Sequence, residues 1–156
     1  MLWRNWYIGT LNEQTEKSIF LAGKVSNELG HIVVFDPVGA GASTLRTNVS
    51  KKILEGIRVN VIRGNLSEVI AVFSENQKTN GVDANNDDNI NESTLRNVAN
   101  LAKSFAKHLG GILAITGEID IVTDGDLCYI IHNGRPEMQK VTGTGCMLSG
   151  ILTALL

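Results

Sequence analysis

Four short clusters hold residue types suited to phosphate and proton chemistry: Asp36-Pro37-Val38-Gly39, Arg63-Gly64-Asn65 with Glu68, Thr116-Gly117-Glu118, and Gly143-Thr144-Gly145-Cys146. In the last cluster the glycines let backbone N–H groups turn toward an anion. A helix beginning there adds the positive end of its dipole. Gly143, Thr144, Gly145 and Cys146 are thus a candidate anion hole for a transferring phosphoryl group. The same spacing also serves a plain strand-to-helix turn, and short Gly-x-Gly patterns are common. Helix N-termini stabilise thiolates, so Cys146 is a candidate base toward a substrate hydroxyl. A lone cysteine is more often buried and inert.

The acidic and basic candidates have comparable alternatives. Asp36 suits Mg²⁺, which takes one or two carboxylates beside phosphate oxygens; it equally suits a turn before Pro37. Glu68 is a second metal candidate, and its spacing from Asn65 also fits a capping box. Arg63 suits a clamp on a nucleotide phosphate, or an ordinary surface ion pair. Thr116 is placed to offer its hydroxyl to a nucleotide, or simply to make a turn. Cys128 falls in a hairpin strand and reads as structural. His31, His108 and His132 are isolated. No GxxxxGK[ST] pattern is present, which excludes a Walker-type loop, and Gly39-Ala40-Gly41 lacks the third glycine of a dinucleotide fingerprint.

These clusters need elements that hold them together. Residues 6–9 read as a short strand ending at Gly9. Residues 12–29 read as a helix with Ala22, Val25 and Leu29 on one apolar face, stopped by Gly30. The β-branched run His31–Phe35 suits a strand buried on both faces. Leu45–Leu54 reads as a helix, Val59–Ile62 as a strand, and Asn65 as the N-cap of a helix running to about Phe73. Residues 75–91, rich in Asn and Asp, read as a surface loop.

The clearest helix spans Glu92–Leu109, with Leu95, Val98, Ala99, Ala102, Phe105, Ala106 and Leu109 in one stripe. Ile112–Ile115 is another buried strand, Asp124-Gly125 signals a hairpin, and Met147–Leu156 is a final apolar helix. This alternation predicts an α/β fold, with a mostly parallel sheet and helices on both faces. In such folds ligands gather at the carboxyl ends of the strands, where all four clusters fall.

Composition narrows the class. The chain has 156 residues, 43% of them apolar and 19% charged, with a net charge of −2. Nothing electrostatic invites nucleic acid or an anionic membrane. No apolar run reaches the length of a membrane span. Two cysteines without metal spacing fit a reducing cytoplasm. The aromatic start, with Trp3, Trp6 and Tyr7, reads as a buried strand or as an unusual start of the frame.

Taken together and in order, the clusters resemble hydroxyethylthiazole kinases of the ribokinase-like superfamily. The resemblance rests on residues 36–42, 62–68, 115–120 with 123–125, and 132–134 followed by 141–146, and runs from about Ile8 to the end. It implies transfer of a phosphoryl group from ATP to 4-methyl-5-(2-hydroxyethyl)thiazole, with Mg²⁺, in thiamine salvage. It implies that Arg63 and Thr116 contact ATP, that Gly143 lies against the thiazole, and that Asp36 and Glu68 serve the magnesium region. It also implies Cys146 as the base, where many superfamily members carry aspartate, and a homotrimeric assembly. Family members extend before Ile8 and beyond Leu156, so the expected unit is one ribokinase-like domain over 1–156, incomplete at both termini. Two other readings stay open: an inactive relative that binds nucleotide weakly, and a hydroxymethylpyrimidine- or pyridoxal-type kinase. Cys146 counts against the latter.

Overall fold

The computed structural model describes residues 4–74 and 90–156. The elements in order are β1 (Arg4–Tyr7), α1 (Glu13–Glu28), β2 (Val33–Asp36), α2 (Thr44–Gly56), β3 (Val61–Gly64), α3 (Leu66–Phe73), α4 (Glu92–Leu109), β4 (Ile112–Ile115), β5 (Asp120–Thr123), β6 (Cys128–Ile131), a 3₁₀ turn (Pro136–Lys140) and α5 (Thr144–Leu155). The polar loop expected over residues 75–91 lies, apart from Ile90 and Asn91, outside the described residues.

One sheet runs β1-β2-β3-β4-β5-β6. The first four strands are parallel, and β4-β5-β6 form an antiparallel meander. Successive right-handed crossovers that step one way across a sheet leave their helices on one face. The core bears this out. Val33, Phe35, Ile62, Leu113, Ile115 and Ile121 share a cluster with Val49 and Ile53 of α2, Val69 and Phe73 of α3, and Val98 and Phe105 of α4. Strand residues of the other parity, Val34, Val61 and Ala114, are buried but stand outside that cluster. They face the opposite side, where α5 packs on β1 and β2. Helices thus cover both faces, as expected. Asp36, Arg63 and Thr116 continue the α5-side parity at the strand ends.

Local chemistry explains the boundaries. Asn12, Asn65 and Asn91 each cap a helix through a reciprocal box, with Thr15, Glu68 and Thr94 respectively. Gly110 ends α4 in the left-handed region, at φ 66°. The expected apolar face of α1 is corrected. Val25 and Leu29 are 41% and 62% exposed, and the buried residues are Gly23 and Ser26. Ser26 turns its hydroxyl back onto the Ala22 carbonyl at 2.8 Å, so a small polar residue can face the sheet with its hydrogen bond made. The strands β2 and β3 each begin two residues later than the hydrophobic runs suggest, and Asn60 bonds across to the first residue of β2. Its amide oxygen accepts from the Val33 N–H at 2.9 Å.

Candidate active site

The site is built at the carboxyl edge of three adjacent parallel strands. Asp36 is the last residue of β2, Arg63 is the third of β3, and Thr116 follows β4. Arg63 Nη1 donates to Asp36 Oδ2 at 3.1 Å, and Nη2 donates to Thr116 Oγ1 at 2.8 Å. Asp36 is almost wholly buried, with its side chain 2% exposed against 14% for Arg63. The surface ion pair considered from sequence is therefore a buried one. Asp36 Oδ1 and Arg63 Nε are both buried without a partner. A bare buried carboxylate oxygen is costly, so Oδ1 is a candidate partner for a water, an ion or a ligand.

The first turn of α5 closes over this group. A side chain at Gly145 would place its Cβ 2.6 Å from Arg63 Nη1, so the guanidinium lies directly under the helix start. Gly143 is the N-cap, at φ 89° and with open space around it. Helices α1 to α4 are each capped by a side chain, from Asn12, Ser43, Asn65 and Asn91, whereas α5 has none. Its first N–H groups remain available to an anion, as the glycine spacing suggests. Cys146 stands exposed in that same turn.

Glu68 sits beside the cluster in a structural bond set. Its Oε2 accepts from the Asn65 N–H at 2.9 Å, and Oε1 accepts from the Gly39 N–H at 2.8 Å. It therefore closes the capping box and also ties the turn after β2 to α3. Burial holds its carboxyl above the usual range. The Gly39 and Asn65 N–H groups pull the other way, with lesser raising by Asp36 and lowering by Arg63.

The structure joins Asp36, Arg63, Thr116 and the Gly143–Cys146 turn, with Glu68 at their flank. Two contributors were not legible in the sequence. Ser149, fully buried on α5, reaches both Asp36 Oδ2 and the Gly145 carbonyl. Its only sequence signal is a hydroxyl in a mostly apolar helix, one it shares with Thr144 and Thr153. Arg46 donates from Nη2 to the Gly9 carbonyl at 2.9 Å and lies against Gly39, bracing the turn after β2. No spacing pointed to it. Cys128 is half-buried, and burial pushes its thiol up, in keeping with an inert cysteine. Among the described residues no group of three or more His, Cys, Asp or Glu is placed to hold a metal. No helix there is long and apolar enough to cross a membrane.

Comparison with known proteins fits this geometry. The model of the hydroxyethylthiazole kinase family matches residues 5–156. A hydroxyethylthiazole kinase of Clostridium acetobutylicum is 48% identical over 152 residues, 97% of this chain and 56% of the relative. One from Alkaliphilus oremlandii is 44% identical over 94% of this chain and 52% of the relative. The chain thus spans about half the length of the curated relatives it matches. The solved hydroxyethylthiazole kinase protein of Pyrococcus horikoshii OT3 superposes with a TM-score of 0.79 at 35% identity, covering 94% of this chain and 51% of that one. An Anopheles gambiae adenosine kinase shares the fold, with a TM-score of 0.51 at 15% identity, over 90% of this chain and 44% of that one. The ribokinase-like α/β fold expected from sequence is borne out.

Proposed function

The chain belongs to the hydroxyethylthiazole kinase family, and from that premise we propose that it transfers the γ-phosphoryl group of ATP to the hydroxyl of 4-methyl-5-(2-hydroxyethyl)thiazole. The product is the thiazole phosphate of thiamine biosynthesis or salvage. One observation supports this most. A buried carboxylate, an arginine fixed by two partners, and an α-helix start without a side-chain cap meet at a single sheet edge.

Each residue then has a task. The N–H groups of Gly143 to Cys146 face the phosphoryl oxygens, where fixed donors stabilise charge as it develops. Gly143 lies against the thiazole, since a Cβ-free residue with open space lets the ring approach. Arg63 and Thr116 hold ATP, with the guanidinium braced by Asp36. Cys146 takes the proton of the substrate hydroxyl. The freed oxygen bonds to the γ-phosphorus, the bond to the β–γ bridging oxygen breaks, and ADP leaves. The proton on Cys146 returns to solvent.

The residues also fit Mg²⁺. Asp36 Oδ1 is an unclaimed buried acceptor, and a magnesium site needs only one or two carboxylates. Asp36 would hold the ion, with Glu68 reaching it through lone pairs its backbone bonds leave over. Bound there, Mg²⁺ would neutralise charge on the phosphate oxygens.

The proposal includes a cytoplasmic location, supported by two free cysteines, and a homotrimer, supported by likeness to the family. Sedimentation velocity of the purified chain checks the assembly. For the activity, ADP release is measured with saturating Mg-ATP, with and without the thiazole alcohol. Release that depends on the alcohol is expected; none from a folded chain overturns the proposal. A second reading, nucleotide binding without turnover, is favoured by one feature. The outer side of α5 exposes Met147, Ile151 and Leu155 at 58%, 56% and 80%, so among the described residues the helix that carries the anion turn is packed from its inner side alone. Binding of an ATP analogue without alcohol-dependent release selects that reading.

A further inference from the structure

Ser149 stands one helical turn beyond Gly145 and is fully buried. Its hydroxyl lies 3.0 Å from Asp36 Oδ2 and 3.1 Å from the Gly145 carbonyl, so one hydrogen is shared between two acceptors. Back-bonding to a carbonyl four residues earlier is ordinary for a helical serine. A bond to a carboxylate 113 positions away is not.

That bond makes the carboxylate lopsided. Oδ2 receives both the Ser149 hydroxyl and Arg63 Nη1, while Oδ1, equally buried, receives nothing. Rotating the carboxylate would forfeit two bonds at Oδ2. Ser149 also links the two halves of the site. Through Gly145 it holds the anion turn, and through Asp36 it holds the end of β2. We infer that Ser149 is a positioning residue that occupies Oδ2 of Asp36, reserves Oδ1 for the divalent cation, and fixes that oxygen relative to the anion turn. This rests on the reading of Asp36 as the cation's carboxylate. Groups that orient a metal ligand commonly govern affinity about 10–100-fold.

The test uses the full chain and Mn²⁺ as the probe. Mn²⁺ is titrated in the presence of a non-hydrolysable ATP analogue, and binding is followed by water-proton relaxation. Analogue binding is measured separately in EDTA. Ser149→Ala is expected to raise half-saturating Mn²⁺ about tenfold, a larger factor than any change in analogue affinity measured in EDTA. Ser149→Thr, which keeps the hydroxyl, is expected to restore Mn²⁺ binding to within about threefold of the unaltered chain. Unchanged Mn²⁺ binding in Ser149→Ala overturns the inference, as does equal loss in the alanine and threonine variants. If Asp36→Asn binds Mn²⁺ as the unaltered chain does, or the unaltered chain binds none, the cation reading itself fails and the inference falls with it. That result is distinct from failure at Ser149 alone.

Discussion

Arg63 Nη1 and Asp36 Oδ2 meet at 3.1 Å across neighbouring strands, with only 14% and 2% of the two side chains exposed. The pair sits where water screens it little, so each charge depends on the other. Removing one partner of a buried pair leaves the other uncompensated, at a cost of about 3–5 kcal/mol. Arg63→Met should therefore destabilise by that amount in urea unfolding. Adding Asp36→Asn to the same chain should recover part of the loss, because the stranded charge is gone. A loss below about 1 kcal/mol would put the pair in the class of exposed ion pairs.

The two glycines of the anion turn should respond differently to alanine. At Gly145 an added Cβ falls 2.6 Å from Arg63 Nη1 and 3.1 Å from Nη2. The guanidinium can swing away, yet doing so breaks its bonds to Asp36 and Thr116. On the proposal that Arg63 holds ATP, Gly145→Ala should raise KM for ATP about tenfold or more, the loss of one or two charge-assisted bonds. At Gly143 nothing lies within reach of a Cβ, but φ is 89°. Gly143→Ala should cost about 1–2 kcal/mol of stability through left-handed strain, read as a lowered thermal midpoint. Equal effects of the two on KM for ATP would remove Arg63 from the nucleotide's side of the site.

These contrasts show what was legible in the sequence. The α4 stripe was readable because Val98, Ala102, Phe105 and Ala106 repeat at helical spacing and all are buried. The sheet-edge clusters were readable because turns between parallel strands concentrate glycine, proline and charge. The face of α1 was misread because its buried side is made of Gly23 and Ser26, which carry no hydrophobic signal. Arg63 was placed at a strand mouth, but its partner lies 27 residues away, and only the folded sheet brings the two together. Ser149 was invisible for the same reason: a long-range bond has no local spacing to betray it.

Glu68 should leave a signature in the pH dependence of stability. Burial raises its folded pKa above the ordinary 4.5, so the folded chain keeps this proton to higher pH than the unfolded chain does. The stability that follows is complete below the unfolded value and is lost as pH rises through the folded one. Glu68→Gln cannot titrate. It also gives up one acceptor for the Gly39 or Asn65 N–H, at about 1–3 kcal/mol. The stability of the unaltered chain relative to Glu68→Gln should therefore fall as pH rises through the folded pKa of Glu68. Asp124 shifts the opposite way, lowered by the Asp126 and Leu127 N–H groups, and its contribution is lost as pH falls below 3.8. It is common to both chains and cancels. Urea midpoints across that rise in pH give the answer, and a difference that does not change with pH would contradict the raised carboxyl.

Cys146 offers the sharpest test of chemistry against structure. The residue is exposed in the first turn of α5, and its thiol fills no cavity. Cys146→Ala should then leave the thermal midpoint nearly unchanged, within about 0.5 kcal/mol, as for surface substitutions generally. If Cys146 is the base as proposed, a role that contributes about 10²–10⁴-fold to rate, kcat for thiazole phosphorylation should fall by that factor. KM for ATP should hold if, as proposed, Arg63 and Thr116 are its contacts. Cys146→Asp supplies the oxygen base expected at this position in other superfamily members, and it should restore part of the lost kcat. Steady-state kinetics of the three chains decide the matter. A Cys146→Ala chain that turns over at the unaltered rate would leave the first-turn N–H groups to do the work and would strip Cys146 of its role as base.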